Sequence, residues 1–305
     1  MATKKAASSA KKSTTKKTVK TSATVSKPAA VVETKPTMIN KKSMLRPGAL
    51  IAEFLGTFIL AGAVITLAGS GVENKLAIMF ALIVLVVVFG VVSGAHLNPA
   101  ITVAVWANRK IDGAKAATYI VAQVLGALLA YVILKSVFDA NLESAVIAAL
   151  TAQGLTDANV SQYGASTVKE FISSQGLSTL ATQLHVSFIS SSLTAGKEML
   201  AFWTELLGSV VFGLGVGYAV LAKKKSALVT GFAVGGSLFL GLAIGGSTVI
   251  LNPAVAAAIG GFSHWGSFGA VAWPVAVYAL ATTVGMTIGF TAYRLMLRDT
   301  VDAEV

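Results

Sequence analysis

HLNPAITVAVW at 96–106 and VILNPAVAAAIG at 249–260 decide how this chain folds. Each stretch is apolar, yet each is about half the roughly 20 residues that an α-helix needs to cross the ~30 Å hydrocarbon of a bilayer. Each also opens in the same way. Asparagine is a strong helix N-cap, and proline is favoured at the first helical position, where its missing N–H costs nothing. Asn98-Pro99-Ala100 and Asn252-Pro253-Ala254 therefore predict two short helices that begin inside a membrane, as re-entrant segments do. A single such tripeptide could mark any turn. Two of them at matching places in the chain are far more specific.

Longer apolar runs surround them, at 48–69, 75–94, 115–137, 199–221, 227–246 and 269–293, and these predict six membrane spans. AEFLGTF (52–58) matches TELLGSV (204–210), and the distance from glutamate to asparagine is nearly constant: 45 residues from Glu53 to Asn98, 47 from Glu205 to Asn252. The body thus reads as two copies of span, span, half-span, span. An odd number of crossings per copy puts the second copy in upside down, so the expected architecture is an all-α membrane protein built on an inverted repeat. The two half-helices then enter from opposite faces and meet near the midplane by their N-termini, each carrying about half a positive charge. That field opposes cations. An asparagine whose oxygen caps its helix still has amide hydrogens to offer a passing solute. The predicted product is a passage for small neutral molecules that interrupts a proton-conducting water wire.

The charge supports this division of labour. The 305 residues carry a formal charge of +11 and a mean hydropathy of +0.76. All of the excess charge lies in residues 1–46, where eleven lysines and Arg46 face one acid, Glu33; the rest of the chain is neutral. A soluble basic globule is excluded, because the neutral body holds apolar runs too long for a watery surface. The tail has no aromatic residue and no apolar period, which predicts a disordered arm near anionic lipid headgroups and no specific nucleic-acid partner. The first apolar run begins near Gly48, too late for a cleavable signal peptide. Lysine and arginine are concentrated in the tail, at Arg109, Lys110 and Lys115, at Lys223, Lys224 and Lys225, and at Arg294 and Arg298, so both termini are expected in the cytoplasm of a multi-pass cell-membrane protein. The expected divisions are a tail at 1–46, a membrane domain at 47–298 (repeats 48–137 and 199–296 around an outer connection at 138–198), and a short tail at 299–305. The outer connection is too long to be structureless and should hold short helices such as NLESAVIAALTAQ; it also carries the outward sequon Asn159-Val160-Ser161.

There is no cysteine, and the three histidines are His96, His185 and His264, so thiolate chemistry and a histidine-rich metal site are not expected. Neither a nucleophile–base pair nor a phosphate loop is evident, which argues against an enzyme and against a cofactor.

SGAHLNPAITV (93–103) is the closest piece of a wider likeness: residues 48–296 resemble the aquaporin and glycerol-facilitator (major intrinsic protein) family. The resemblance implies six tilted helices and two half-helices, one pore per subunit, a homotetramer, and Asn98 and Asn252 as donors at the pore midpoint. Small residues such as Gly213, Gly215, Gly217, Gly231 and Gly235 would permit close helix packing. Glu53 and Glu205 lie inside predicted spans, where a carboxyl is costly. Two readings compete: proton relays or cation sites, or buried acceptors for the N–H groups of the pore loops. Their symmetry with the loops and the family pattern favour the second, and His96 is expected to support the first loop and lend a carbonyl to the inner vestibule.

One position departs from the family. The second asparagine-proline-alanine is normally followed by an arginine that helps form a narrow outer filter, and here that residue is Val255. Carrying over the other filter positions by distance from the asparagines gives Ile78, Leu240 and Val249, so the expected filter is wholly aliphatic. The aspartate common in glycerol facilitators is replaced by Ala256. The lost arginine should widen the pore to glycerol, urea and similar solutes, with carbonyls of the 245–251 loop as acceptors. The opposite outcome is a hydrophobic constriction that gates by dewetting. The rival classes are a proton-coupled inverted-repeat transporter working through Glu53 or Glu205, and a non-conducting membrane interaction protein.

Overall fold

The computed structural model describes residues 46–67, 71–184, 198–223, 225–246, 249–263 and 268–302. The lysine-rich segment 1–45, residues 185–197 with His185, residues 264–267 with His264, and the last residues 303–305 lie outside the described residues. Ten α-helices are described: α1 (Pro47–Leu67), α2 (Val72–Phe89), α3 (Pro99–Ala107), α4 (Gly113–Ala152), α5 (Val168–Gln175), α6 (Leu177–Gln183), α7 (Glu198–Leu221), α8 (Ala227–Gly245), α9 (Pro253–Ser263) and α10 (Phe268–Asp302). No strand occurs among the described residues. Helices α1, α2, α4, α7 and α8 are each long and apolar enough to cross a membrane, and α10 covers the sixth predicted span. The two half-spans are α3 and α9.

The helices α1–α4 and α7–α10 form the two repeats. Within each, the first helix packs on the second and on the last: α1 on α2 and α4, α7 on α8 and α10. Helices α2 and α8 pack on each other and join the repeats. The half-helices cross over, with α3 packed on α10 and α9 on α4, so each lies against the last long helix of the opposite copy. Close approach is built in at two equivalent places. A Cβ on Gly126 of α4 would sit 2.3 Å from the Phe54 carbonyl oxygen of α1, and one on Gly285 of α10 would sit 2.3 Å from that of Leu206 of α7. Only glycine allows these backbones to touch.

Two apolar clusters fill the bundle. One gathers Leu82, Val86, Leu97, Phe212, Leu238 and Leu251; the other gathers Ala61, Ala127, Tyr131, Val255 and Ile259 between α1, α4 and α9. The outward faces are apolar as well: Ile51, Phe80, Val84, Val121, Leu125 and Phe232 are all exposed. A surface of this kind is stable in hydrocarbon and not in water. The chain is an all-α, multi-pass membrane protein with the expected inverted repeat of six spans and two half-helices.

The outer connection differs from expectation. The helix of the third span runs on past residue 137: α4 continues to Ala152 as one helix of 40 residues, about 60 Å long and roughly twice the hydrocarbon thickness. Residues 138–152 contain neither glycine nor proline, and Leu142, Val146 and Leu150 repeat every four positions, so nothing stops the helix when it leaves the membrane. The short helices α5 and α6 fold back on this extension. Val146, Leu150, Val168, Ile172 and Leu180 form a small core there, separate from those of the bundle. Lys169 Nζ meets Glu143 at 2.9 Å across the module. Asn159 of the sequon is exposed and holds a turn, its Oδ1 accepting from Thr156 N and its Nδ2 donating to the Gly154 carbonyl, both at 2.8 Å.

Candidate functional site

Both asparagines cap their half-helices as their residue type dictates. Asn98 Oδ1 accepts from Ala100 N at 2.8 Å, and Asn252 Oδ1 accepts from Ala254 N at 3.1 Å. Their amide nitrogens then reach across the pseudo-twofold. Asn98 Nδ2 donates to the Leu251 carbonyl at 2.7 Å, and Asn252 Nδ2 donates to the Leu97 carbonyl at 3.0 Å. The two re-entrant segments are therefore latched to each other, N-terminus to N-terminus, through a reciprocal pair of hydrogen bonds. Pro99, Ala100, Pro253 and Ala254 are buried around this latch.

Leu97 and Leu251 make the latch work. Both adopt a left-handed backbone, with φ of +52° and +54°. For a branched side chain this costs on the order of 1 kcal/mol, and such strain persists only where the surroundings fix it. Here the fixing groups are the two intramembrane carboxylates. Glu53 Oε2 accepts from Leu97 N at 2.7 Å and Oε1 from His96 N at 3.0 Å. Glu205 Oε2 accepts from Leu251 N at 3.0 Å, and Oε1 accepts from Ile250 N. Each leucine thus gives its N–H to the carboxylate of its own repeat and its carbonyl to the asparagine of the other. Each side chain fills a notch left by glycine, Leu97 against Gly56 and Leu251 against Gly208 and Gly241.

A third helix completes each carboxylate. Gln123 Nε2 of α4 donates to Glu53 Oε2 at 2.7 Å, and Thr282 Oγ1 of α10 donates to Glu205 Oε2 at 2.8 Å. Both glutamates are fully buried, and every hydrogen bond formed to their oxygens comes from an N–H or O–H donor. In this arrangement they act as acceptors for loop N–H groups that have no water to turn to. His96 belongs to the same network. Its Nδ1 lies 3.1 Å from Thr102 Oγ1, and its ring meets Tyr119 edge-on with centroids 5.4 Å apart. Tyr119 in turn donates to the Ser93 carbonyl at 2.9 Å, holding the start of the loop.

Residue type alone does not mark Gln123, Thr282, Tyr119 or the two leucines as parts of this network. A signal for the first two exists: Gln123 stands three residues before Gly126 and Thr282 three before Gly285, so the repeat continues into the last helix of each copy. At the far end of α3, Asn108 Nδ2 donates to Thr291 Oγ1 at 3.1 Å and anchors the half-helix to α10.

The four aliphatic positions do not share one apolar cluster. Ile78 and Val249 share the first apolar cluster, whereas Val255 is fully buried in the second. Leu240 is set apart from all three. It is 54% exposed, on an outward stripe with Leu228, Phe232 and Ile244, opposite the buried face of Val234, Leu238 and Leu242. Counting back from Asn252 assumes a loop of standard length. One residue more or less turns the helix by about 100°, which is enough to move a position from the inner to the outer face.

The family model described as Major intrinsic protein matches residues 38–293. Glycerol uptake facilitator protein-like 6 of Lactiplantibacillus plantarum is 43% identical over 94 residues, which is 30% of this chain and 44% of that protein. Aquaporin-4 of Mus musculus is 45% identical over 92 residues, 27% of this chain and 28% of that protein. The chain therefore aligns with less than half the length of these relatives. The X-ray structure of the aquaglyceroporin from Plasmodium falciparum superposes with a TM-score of 0.55 at 22% identity, over 84% of this chain and 98% of that one, a likeness of fold.

Proposed function

Since the chain belongs to the major intrinsic protein family, we propose that it is a passive transmembrane channel for water, glycerol, urea or other small uncharged solutes. On this reading it assembles as a homotetramer in the cell membrane with both termini cytoplasmic, and it performs no chemistry on what it carries. The observation that supports the reading most is the reciprocal latch of Asn98 on Leu251 and Asn252 on Leu97. It uses one hydrogen of each amide and leaves the other to meet a solute oxygen. Two helix N-termini and two amide donors then converge at one point. Such a point accepts a hydroxyl or carbonyl oxygen, repels cations, and orients each water so that a proton wire is broken.

Substrate range follows from position 255. Valine there removes both the charge and the strongest donor that the family's filter normally supplies, so passage at this position would be selected by size and dryness more than by hydrogen bonding. A wider, less water-selective pore is the consequence. One observation favours a second reading of the same position. Val255 is fully buried, and Ile78, Asn98 and Asn252 are each less than 10% exposed, so little of their surface is open to solvent. A closed aliphatic constriction would open and close by wetting and dewetting.

Stopped-flow swelling of proteoliposomes under water, glycerol and urea gradients tests both readings. Flux of all three above empty vesicles supports the wide pore, and Val255→Arg is then expected to suppress glycerol and urea more than water. An unchanged solute range in Val255→Arg would place the filter elsewhere. Water flux alone, present only under large gradients, would support the dewetting gate.

A further inference from the structure

The outward face between α1 and α4 carries an indentation of about 500 Å³, walled by Leu50 and Phe54 of α1 and by Val121 and Leu125 of α4, where the small side chains of Ala117 and Ala122 leave room. The one hydroxyl in it, that of Thr118, is already bonded to the Ala114 and Lys115 carbonyls at 3.1 and 3.0 Å, so the wall is apolar throughout. From residue 117 to residue 125 the groove runs about 12 Å along α4, which lies within one leaflet of a ~30 Å hydrocarbon layer. Its shape and chemistry suit a single acyl chain.

The end of the groove is not neutral. Arg46 is exposed at the start of α1, four residues before Leu50, and Lys115 lies in the first turn of α4, two residues before Ala117. Neither forms an ion pair among the described residues. The acid that precedes α4, Asp112, is committed as its N-cap, with Oδ1 accepting from Lys115 N at 2.8 Å. Lys115 Nζ is held 5.0 Å from the Tyr119 ring centroid, a fixed position near the helix end. We infer that this groove is a binding site for an anionic phospholipid, one acyl chain lying between α1 and α4 and the phosphate between Arg46 and Lys115. Arg46 and Lys115 together exceed Asp112 by one positive charge here, so a lipid with net negative charge is preferred over a zwitterionic one. The site does not depend on which solute the protein conducts.

Native mass spectrometry of the full chain, equilibrated with equal amounts of phosphatidylglycerol and phosphatidylcholine, tests the site. Preferential retention of phosphatidylglycerol is expected. Arg46→Gln and Lys115→Gln should each lower that preference about fivefold, the effect of one cation near the membrane surface. Ala122→Phe, which fills the groove, should abolish retention of both lipids while the oligomer persists. The two glutamine variants change residues at helix ends and keep the test valid should Ala122→Phe fail to fold. Equal retention of the two lipids by the unaltered chain would overturn the proposal. So would a preference that survives Arg46→Gln and Lys115→Gln but disappears on deletion of residues 1–45, because the tail would then be the binding element. Loss of the oligomer in Ala122→Phe without loss of lipid would mark the groove as a subunit contact and would also overturn it.

Discussion

At the scale of single residues, two leucines in a left-handed conformation tie the repeats together. Leu97 and Leu251 each connect a carboxylate in their own repeat to an asparagine in the other, so Glu53 and Glu205 hold the asparagine latch without touching it. Replacing either glutamate by glutamine swaps one acceptor oxygen for an NH₂ group that faces N–H donors. Hydrogen bonds to a charged group are worth about 1.5–3 kcal/mol each, so Glu53→Gln and Glu205→Gln should each lower the unfolding free energy by about that amount. The expected readout is a lower thermal midpoint in detergent, with residual flux that stays indifferent to a pH gradient. A variant of normal stability whose flux has lost a dependence on pH gradient would assign these carboxylates to proton relay. The sequence already marked both glutamates, because a repeated intramembrane acid is conspicuous. The leucines escaped notice, because an apolar residue in an apolar segment carries no mark of its backbone angle.

At the scale of elements, the bundle is specified by where helices touch backbone to backbone. Gly126 lies on the Phe54 carbonyl and Gly285 on that of Leu206, one contact in each repeat. Gly126→Ala and Gly285→Ala should each destabilise the fold by about 1–3 kcal/mol through overpacking, read as a lower midpoint of thermal unfolding. An unchanged midpoint in both would mean that α1 against α4 and α7 against α10 are loosely packed. Span positions were readable in advance from apolar length alone, and so were the two half-helices, since asparagine followed by proline fixes a helix start. The phase of α8 was not. Leu240 faces outward because a count along the chain carries no information about helical rotation once a loop intervenes. Nor does apolar length set the end of α4: a hydropathy limit marks where the membrane stops, and the helix goes on until its sequence breaks it.

At the scale of the whole molecule, the bundle and the module of α5, α6 and the end of α4 have separate cores. Ile172 and Val146 belong to a cluster that shares no residue with those around Leu97, Leu251 and Val255. Ile172→Ala should therefore cost about 2–4 kcal/mol locally, seen as faster proteolysis of 138–184, while solute flux is unchanged. A matching loss of flux would couple the module to the pore. The central claim concerns the pore itself, namely that two half-helices latched at Asn98 and Asn252 carry uncharged solutes passively. Glycerol uptake into proteoliposomes, measured by light scattering with and without an imposed pH gradient, tests it most directly. The account predicts uptake above that of empty vesicles, equal in both conditions and without ionic current. No uptake above empty vesicles, or uptake that requires the proton gradient, would contradict it.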